Sequence, residues 1–231
     1  SDMLVLAARP SIGKSTVALN IARNAAATGM IIGIFSLEMG REQVALRLLS
    51  AESQVDTHRL RMRLTGETED ARIADAIGHL SDLPIWVDDT PLQTVVEIRS
   101  KARRLSMEHG LDMVIVDYMQ LIEGRSGRGD PNRVQEVSEI SRSMKGLARD
   151  LNIPVIAISQ LSRAIEQRTQ HRPQLSDLRD SGRHVPQVVI GRQQQRHRAA
   201  KQHAPVGDGL QRAGRAFRHR LHPPAAMGRA L

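Results

Sequence analysis

The sequence contains no cysteine. That excludes a disulfide framework and any zinc site built on cysteine. Aromatic residues make up 2% of the chain, and Phe35, Trp86, Tyr118 and Phe217 are all there are. So few rings argue against a platform of aromatics stacking on single-stranded bases. Any nucleic-acid contact must fall mainly on phosphates, and so be tolerant of sequence and sensitive to salt. No apolar run approaches the roughly 18 residues that a membrane span needs. Ser1-Asp2 begins nothing like a signal peptide. A soluble cytoplasmic protein, with no membrane partner, is the expectation.

Acidic residues are nearly missing from one end. The 231 residues include 33 Lys and Arg against 25 Asp and Glu. Residues 183–231 hold ten basic residues, nine Arg and Lys201, and the single acid Asp208. Residues 1–182 hold 23 basic and 24 acidic residues. The net +8 therefore belongs to the tail and not to the domain before it. With 40% hydrophobic residues, the first part suffices for one sizeable α/β domain.

What is present is an alternation of short apolar runs and amphipathic stretches. Residues 3–7 (MLVLA) predict a strand, and 14–28 a helix, with Val17, Ile21 and Ala25 four apart and Gly29 as its stop. Residues 31–37 (IIGIFSL) predict a second strand, followed by helices over about 41–51 and 67–82. Residues 85–88 predict a third strand. Thr94-Val-Val-Glu97 has the form of a capping box, opening a helix with Val95, Ile98, Ala102 and Leu105 on one face, which Gly110 ends. Residues 113–116 (MVIV) predict a fourth strand. Asp130-Pro131 supplies the start of a helix carrying Val134, Val137, Ile140, Met144, Leu147 and Leu151, and 155–159 a fifth strand. Such alternation predicts a mostly parallel sheet with helices on both faces. Ligands of these sheets bind at the carboxyl ends of the strands.

The polar residues that carry chemistry fall at those ends. After the first strand comes A-R-P-S-I-G-K-S-T, Ala8 to Thr16, a phosphate loop G-x-x-x-x-G-K-[ST] whose first glycine is Ala8. Gly13 lets the backbone approach phosphates, Lys14 reaches the β- and γ-phosphates, and Ser15 holds Mg²⁺. After the second strand, Glu38 is placed to polarise an attacking water or, equally, to cap the next helix. Asp117 ends the fourth strand as the acid of a Walker B strand, or binds the next turn. Gln160 follows the fifth strand, where an amide can sense a γ-phosphate or satisfy loop backbone. Two Arg-bearing stretches, 124–133 (GRSGRGDPNR) and 172–182 (RPQLSDLRDSG), are either solvated loops or loops that track phosphates.

Together A-A-R-P-S-I-G-K-S-T, F-S-L-E-M, V-I-V-D-Y-M-Q-L, E-I-S-R-S-M-K-G-L-A, A-I-S-Q-L-S-R and R-P-Q-L-S-D-L-R-D-S-G resemble the C-terminal ATPase domain of DnaB-type replicative DNA helicases. In that family Ala commonly replaces the first loop glycine, so Ala8 agrees with the resemblance. The match covers about residues 3–182. It implies a RecA-like P-loop NTPase fold, a homo-hexameric ring and ATP with Mg²⁺ between subunits. Ala8, Arg9, Pro10, Ser11, Ile12, Gly13, Lys14, Ser15 and Thr16 would bind the nucleotide, and Ser15 and Asp117 the metal. Glu38, Lys14 and Gln160 would be catalytic. Arg179, Asp180 and Gly182 would grip single-stranded DNA, and primase and a helicase loader would be partners. The sequence opens at the first core strand, so the resemblance does not reach the family's N-terminal domain and linker helix.

Agreement stops at Gly182, where a further strand and an arginine-finger loop are expected. Residues 183–231 are instead read as an irregular or aberrant tail: a disordered basic arm, a diverged version of the missing strands, or an out-of-frame translation. Losing an arginine finger costs about 10³–10⁵ in rate. A catalytically weak ATP- and DNA-binding module is therefore the alternative to a motor. A RecA-like recombination or repair ATPase would share the phosphate loop but lack F-S-L-E-M and S-D-L-R-D-S-G.

Overall fold

The computed structural model describes residues 2–123, 133–161 and 187–190, with the backbone alone for 133–137 and 187–190. In chain order the elements are β1 (Met3–Ala8), α1 (Lys14–Ala27), β2 (Ile32–Ser36), α2 (Arg41–Ser53), α3 (Thr57–Met62), α4 (Glu67–Asp82), β3 (Ile85–Asp88) and α5 (Val95–His109). Then follow β4 (Met113–Asp117), a 3-10 turn (Met119–Leu121), α6 (Arg133–Leu151), β5 (Val155–Gln160) and β6 (Gln187–Ile190). The strands form one sheet in the order β3-β2-β4-β5-β1-β6, and every pairing is parallel.

Side chains alternate along each strand, and the sheet therefore feeds two cores. Met3, Val5 and Ala7 of β1, Val114 and Val116 of β4, and Val155 and Ala157 of β5 pack against α5 and α6. Leu6, Ile34, Ile115, Ile156 and Ile158 face the other way, against α1 to α4. Gly33 in β2 leaves room for Leu105 of α5 and for Leu111 just after it. A Cβ there would lie 3.2 Å from both Leu105 Cδ2 and Leu111 Cδ1.

The expected strands and helices are present, with three additions. Helix α3 escaped the periodicity reading because Leu60 is its one buried residue; Asp56 starts it, accepting from the His58 and Arg59 amides at 2.8 and 3.3 Å. The 3-10 turn is too short for any period to show. The third addition lies in the tail, for which a diverged version of the missing strands was one of the three readings. Residues 187–190 form β6, which pairs with β1 from Leu4↔Gln187 to Ala7↔Ile190. Asp130-Pro131, the expected start of α6, lies outside the described residues.

An ion pair ties the helix behind the phosphate loop to its neighbour. Arg23 on α1 forks onto Glu52 on α2, Nε to Oε2 at 2.7 Å and a terminal nitrogen to Oε1 at 2.6 Å. The fork, followed by His79 at 3.5 Å, holds the Glu52 carboxyl below the usual carboxylate range. A carboxyl so depressed stabilises the fold above its unfolded-state pKa, and the stabilisation is lost as pH falls through its folded value. Glu52→Gln should therefore cost about 1 kcal/mol at neutral pH, allowing for the solvent around Arg23. The difference should vanish in strong acid, which urea titrations of both proteins across pH would show.

Candidate functional site

Four strands end at one edge of the sheet, as two level pairs, with β1 and β5 running on past β2 and β4. In the sheet Ser36 of β2 lies opposite Asp117 of β4, and Ala8 of β1 opposite Gln160 of β5. The loop Arg9–Gly13 leaves β1 at this edge and returns into α1. Gly13 caps α1 in the left-handed region (φ 96°), where a Cβ would be strained. Ser11 shares that region at φ 62°, a local cost that tends to gather at functional turns.

The start of α1 differs from the starts of α2 to α5. Asp89 Oδ2 accepts from the Arg41 amide of α2 at 2.9 Å, and Asp56 serves α3. Glu69 accepts from the Gly66 amide before α4 at 3.2 Å, and Thr94 and Glu97 form the expected capping box on α5. Helix α1 has no side-chain cap and no acid in its first turn. Its free amides and dipole face the loop, an arrangement that suits an anion.

Charged groups converge on this end. Lys14 Nζ donates to the Arg9 carbonyl at 3.2 Å, bent back over the loop. Burial holds its pKa below the usual lysine value, while Asp117 and Glu38 act to raise it and Arg9 to lower it. Asp117 is 4% exposed. Burial raises its pKa, opposed chiefly by a hydrogen bond from the Ser15 hydroxyl and also by Lys14 and Arg47, whereas Glu38 adds to the rise. Glu38 itself is exposed at the tip of a turn that the buried Ser36 closes by donating to the Met39 carbonyl at 2.7 Å.

A divalent cation fits the chemistry of this set. Asp117 Oδ1 is buried with no hydrogen-bond partner, an unusual state for a carboxylate oxygen. Among the described residues no cluster of three or more His, Asp or Glu could cage a metal. A cation here would take Ser15 and Asp117, with water and phosphate filling its shell, as Mg²⁺ does.

Sequence reasoning brought Lys14, Ser15, Glu38, Asp117 and Gln160 to one edge, and there they are. It missed Arg47, an exposed residue of α2 whose charge reaches Asp117. Arg47 lines a groove of about 420 Å³ that also takes in Thr16, Gln43, Thr57 and Arg61. It missed Gln120 too, although V-I-V-D-Y-M-Q-L was in view. Arg179, Asp180 and Gly182 lie outside the described residues, as do residues 124–132 and 172–182 of the two Arg-bearing stretches.

Comparison with known proteins decides the family. A family model, the DnaB-like helicase C terminal domain, matches residues 1–204. The chain belongs to the DnaB-like helicase C-terminal domain family. It is 52% identical over 183 residues to the replicative DNA helicase DnaC of Bacillus subtilis (strain 168), covering 79% of this chain and 40% of that protein. To the replicative DNA helicase DnaB of Nostoc sp. it is 50% identical over 185 residues, covering 79% and 21%. The chain thus spans at most about two fifths of these relatives. Among solved structures, the ATPase domain of G40P aligns with a TM-score of 0.73 at 36% identity, over 78% of this chain and 64% of that one. A DnaB-like replicative helicase studied for its interactions with primase aligns equally well, over 78% and 44%. The DnaB-family fold is thereby the RecA-like one that the sequence predicted. No described helix is long and apolar enough to cross a membrane.

The buried Asp117 makes one expectation specific. Asp117→Asn removes a charge that burial disfavours, so unfolding in urea without nucleotide should show a fold at least as stable as the parent. The Mg²⁺-dependent part of nucleotide binding should be lost in the same protein.

Proposed function

We propose that this domain is the ATP-hydrolysing motor of a replicative DNA helicase, drawing single-stranded DNA through a ring of six subunits. The observation that carries the reading is the meeting of an uncapped helix start, Lys14, Ser15 and a buried, half-unpartnered Asp117 at one sheet edge. Residues Ala8 to Thr16 hold the triphosphate, with Lys14 leaving the Arg9 carbonyl for the β- and γ-phosphates. Ser15 and Asp117 hold Mg²⁺, which supplies charge neutralisation at the phosphates when bound. Glu38, exposed and close enough to act on Lys14, orients and deprotonates the attacking water. Gln160 reads the γ-phosphate. The groove beside Thr16 gives the nucleoside room outside the loop.

Arg179, Asp180 and Gly182 are assigned to the DNA backbone on family resemblance. Primase and a loader are the partners expected in the cytoplasm. A base-pair step costs about 1.4 kcal/mol on average to open, well within what one nucleoside triphosphate delivers. Residues 1–182 form the motor core in this reading, incomplete at its C-terminal end until β6 joins the sheet, and the rest of 183–231 forms a basic tail.

The test is ATP hydrolysis with and without single-stranded DNA, beside Lys14→Ala and Glu38→Ala. DNA-stimulated turnover should be present in the parent. It should fall by about 10²-fold or more in both variants, as expected for lost phosphate contact and lost base. Glu38→Ala should still bind ATP. Tight binding without turnover in the parent would favour the weak module, and absence of nucleotide binding would sink both readings.

A further inference from the structure

Strands β4 and β5 separate before β5 ends. Their pairing stops at Val116↔Ala157, whereas β5 runs on to Gln160 against β1. Successive residues of a strand turn their peptide groups to opposite sides. The Leu161 amide donates to the Ala8 carbonyl, on the β1 side, at 3.1 Å. The amide and carbonyl of Gln160 therefore face the side that β4 has left.

One side chain fills that place. Gln120 Oε1 accepts from the Gln160 amide at 3.3 Å, and Gln120 Nε2 donates to the Gln160 carbonyl at 3.2 Å and to the Ser159 hydroxyl at 2.9 Å. A primary amide donates and accepts in one plane without charge, so it stands in for the missing peptide of β4. On the opposite side of the strand end, Arg9 reaches the Leu161 carbonyl at 3.4 Å and carries Lys14 on its own carbonyl at 3.2 Å. Hydrogen bonds thus lead from Lys14 through Arg9 and the Gln160–Leu161 backbone to Gln120, in the 3-10 turn just after Asp117.

We propose that Gln120 is a positioning residue, a side-chain rung that sets Gln160 against the phosphate loop and joins it to the segment leaving β4. The proposal rests on the motor reading above. Both stretches expected to track DNA phosphates, 124–133 and 172–182, follow this joint in the chain. Gln120 thereby makes the response to DNA depend on the response to nucleotide.

The full chain, Gln120→Ala and Gln120→Glu are compared for ATP hydrolysis with and without oligodeoxythymidylate. A glutamate keeps the acceptor but turns a charge on the Gln160 carbonyl, so it should fail as alanine does. KM for ATP should stay within about twofold while DNA-stimulated kcat falls about tenfold in both variants. Amide exchange should show the Gln160 N–H exchanging about tenfold faster in Gln120→Ala, with the earlier amides of β5 unchanged. Full DNA-stimulated kcat in Gln120→Ala overturns the proposal, as does unchanged exchange at Gln160. If KM and kcat worsen together in a less stable protein, Gln120 is a brace for the strand and nothing more. A parent that hydrolyses no ATP sinks the motor reading instead, and the exchange result then judges the rung alone.

Discussion

Asp117 keeps a carboxylate in the protein interior with one oxygen unmatched, and a charge so placed costs several kcal/mol unless it is answered. The answers come from three residues on two helices: Ser15 and Lys14 at the start of α1, and Arg47 on α2. They meet because β4 carries Asp117 on the same face as Ile115, the side against which α1 and α2 pack. A slip of one residue in the β2–β4 register would turn the carboxylate toward α5 and α6 instead. The two cores therefore do more than hold helices on a sheet. They decide which face receives the acid.

The rest of the edge follows from the same alignment. Parallel strands that end at the same edge put the loops behind β1, β2, β4 and β5 side by side, so residues distant in sequence share one patch. The rigidity of that patch comes from unremarkable parts: the Ser36 hydroxyl under Glu38, Asp89 on the start of α2, and the Arg23–Glu52 fork between α1 and α2. None of them lies in the loop between β1 and α1, yet each braces an element that borders this edge.

Much of this was legible in the residues. Periodicity and end signals located β1 to β5 and the long helices, and the capping box at Thr94 and Glu97 formed as read. Lys14, Ser15, Glu38 and Asp117 could be found because each follows an apolar run, and strand ends are where such sheets bind. Arg47 was hidden because it looks like any polar residue on an amphipathic helix; only the fold shows that its charge reaches Asp117. Gln120 was hidden for another reason. Its role depends on β4 ending before β5, and strand lengths relative to one another are a property of the sheet and not of any single segment. Strand β6 sat inside a stretch that the residues left open between a disordered arm, diverged strands and an out-of-frame tail, and its pairing with β1 identifies it.

Helices α2 to α5 are completed from within the chain, each with a carboxylate from its own or a neighbouring segment. Helix α1 is not. An anion bound at its start is then the last piece of the fold as well as a ligand, and folding and occupancy become one equilibrium. A ligand held at 100 times its dissociation constant adds about 2.7 kcal/mol to a domain that binds it only when folded. The supply of such an anion would set how firmly this sheet edge is held together.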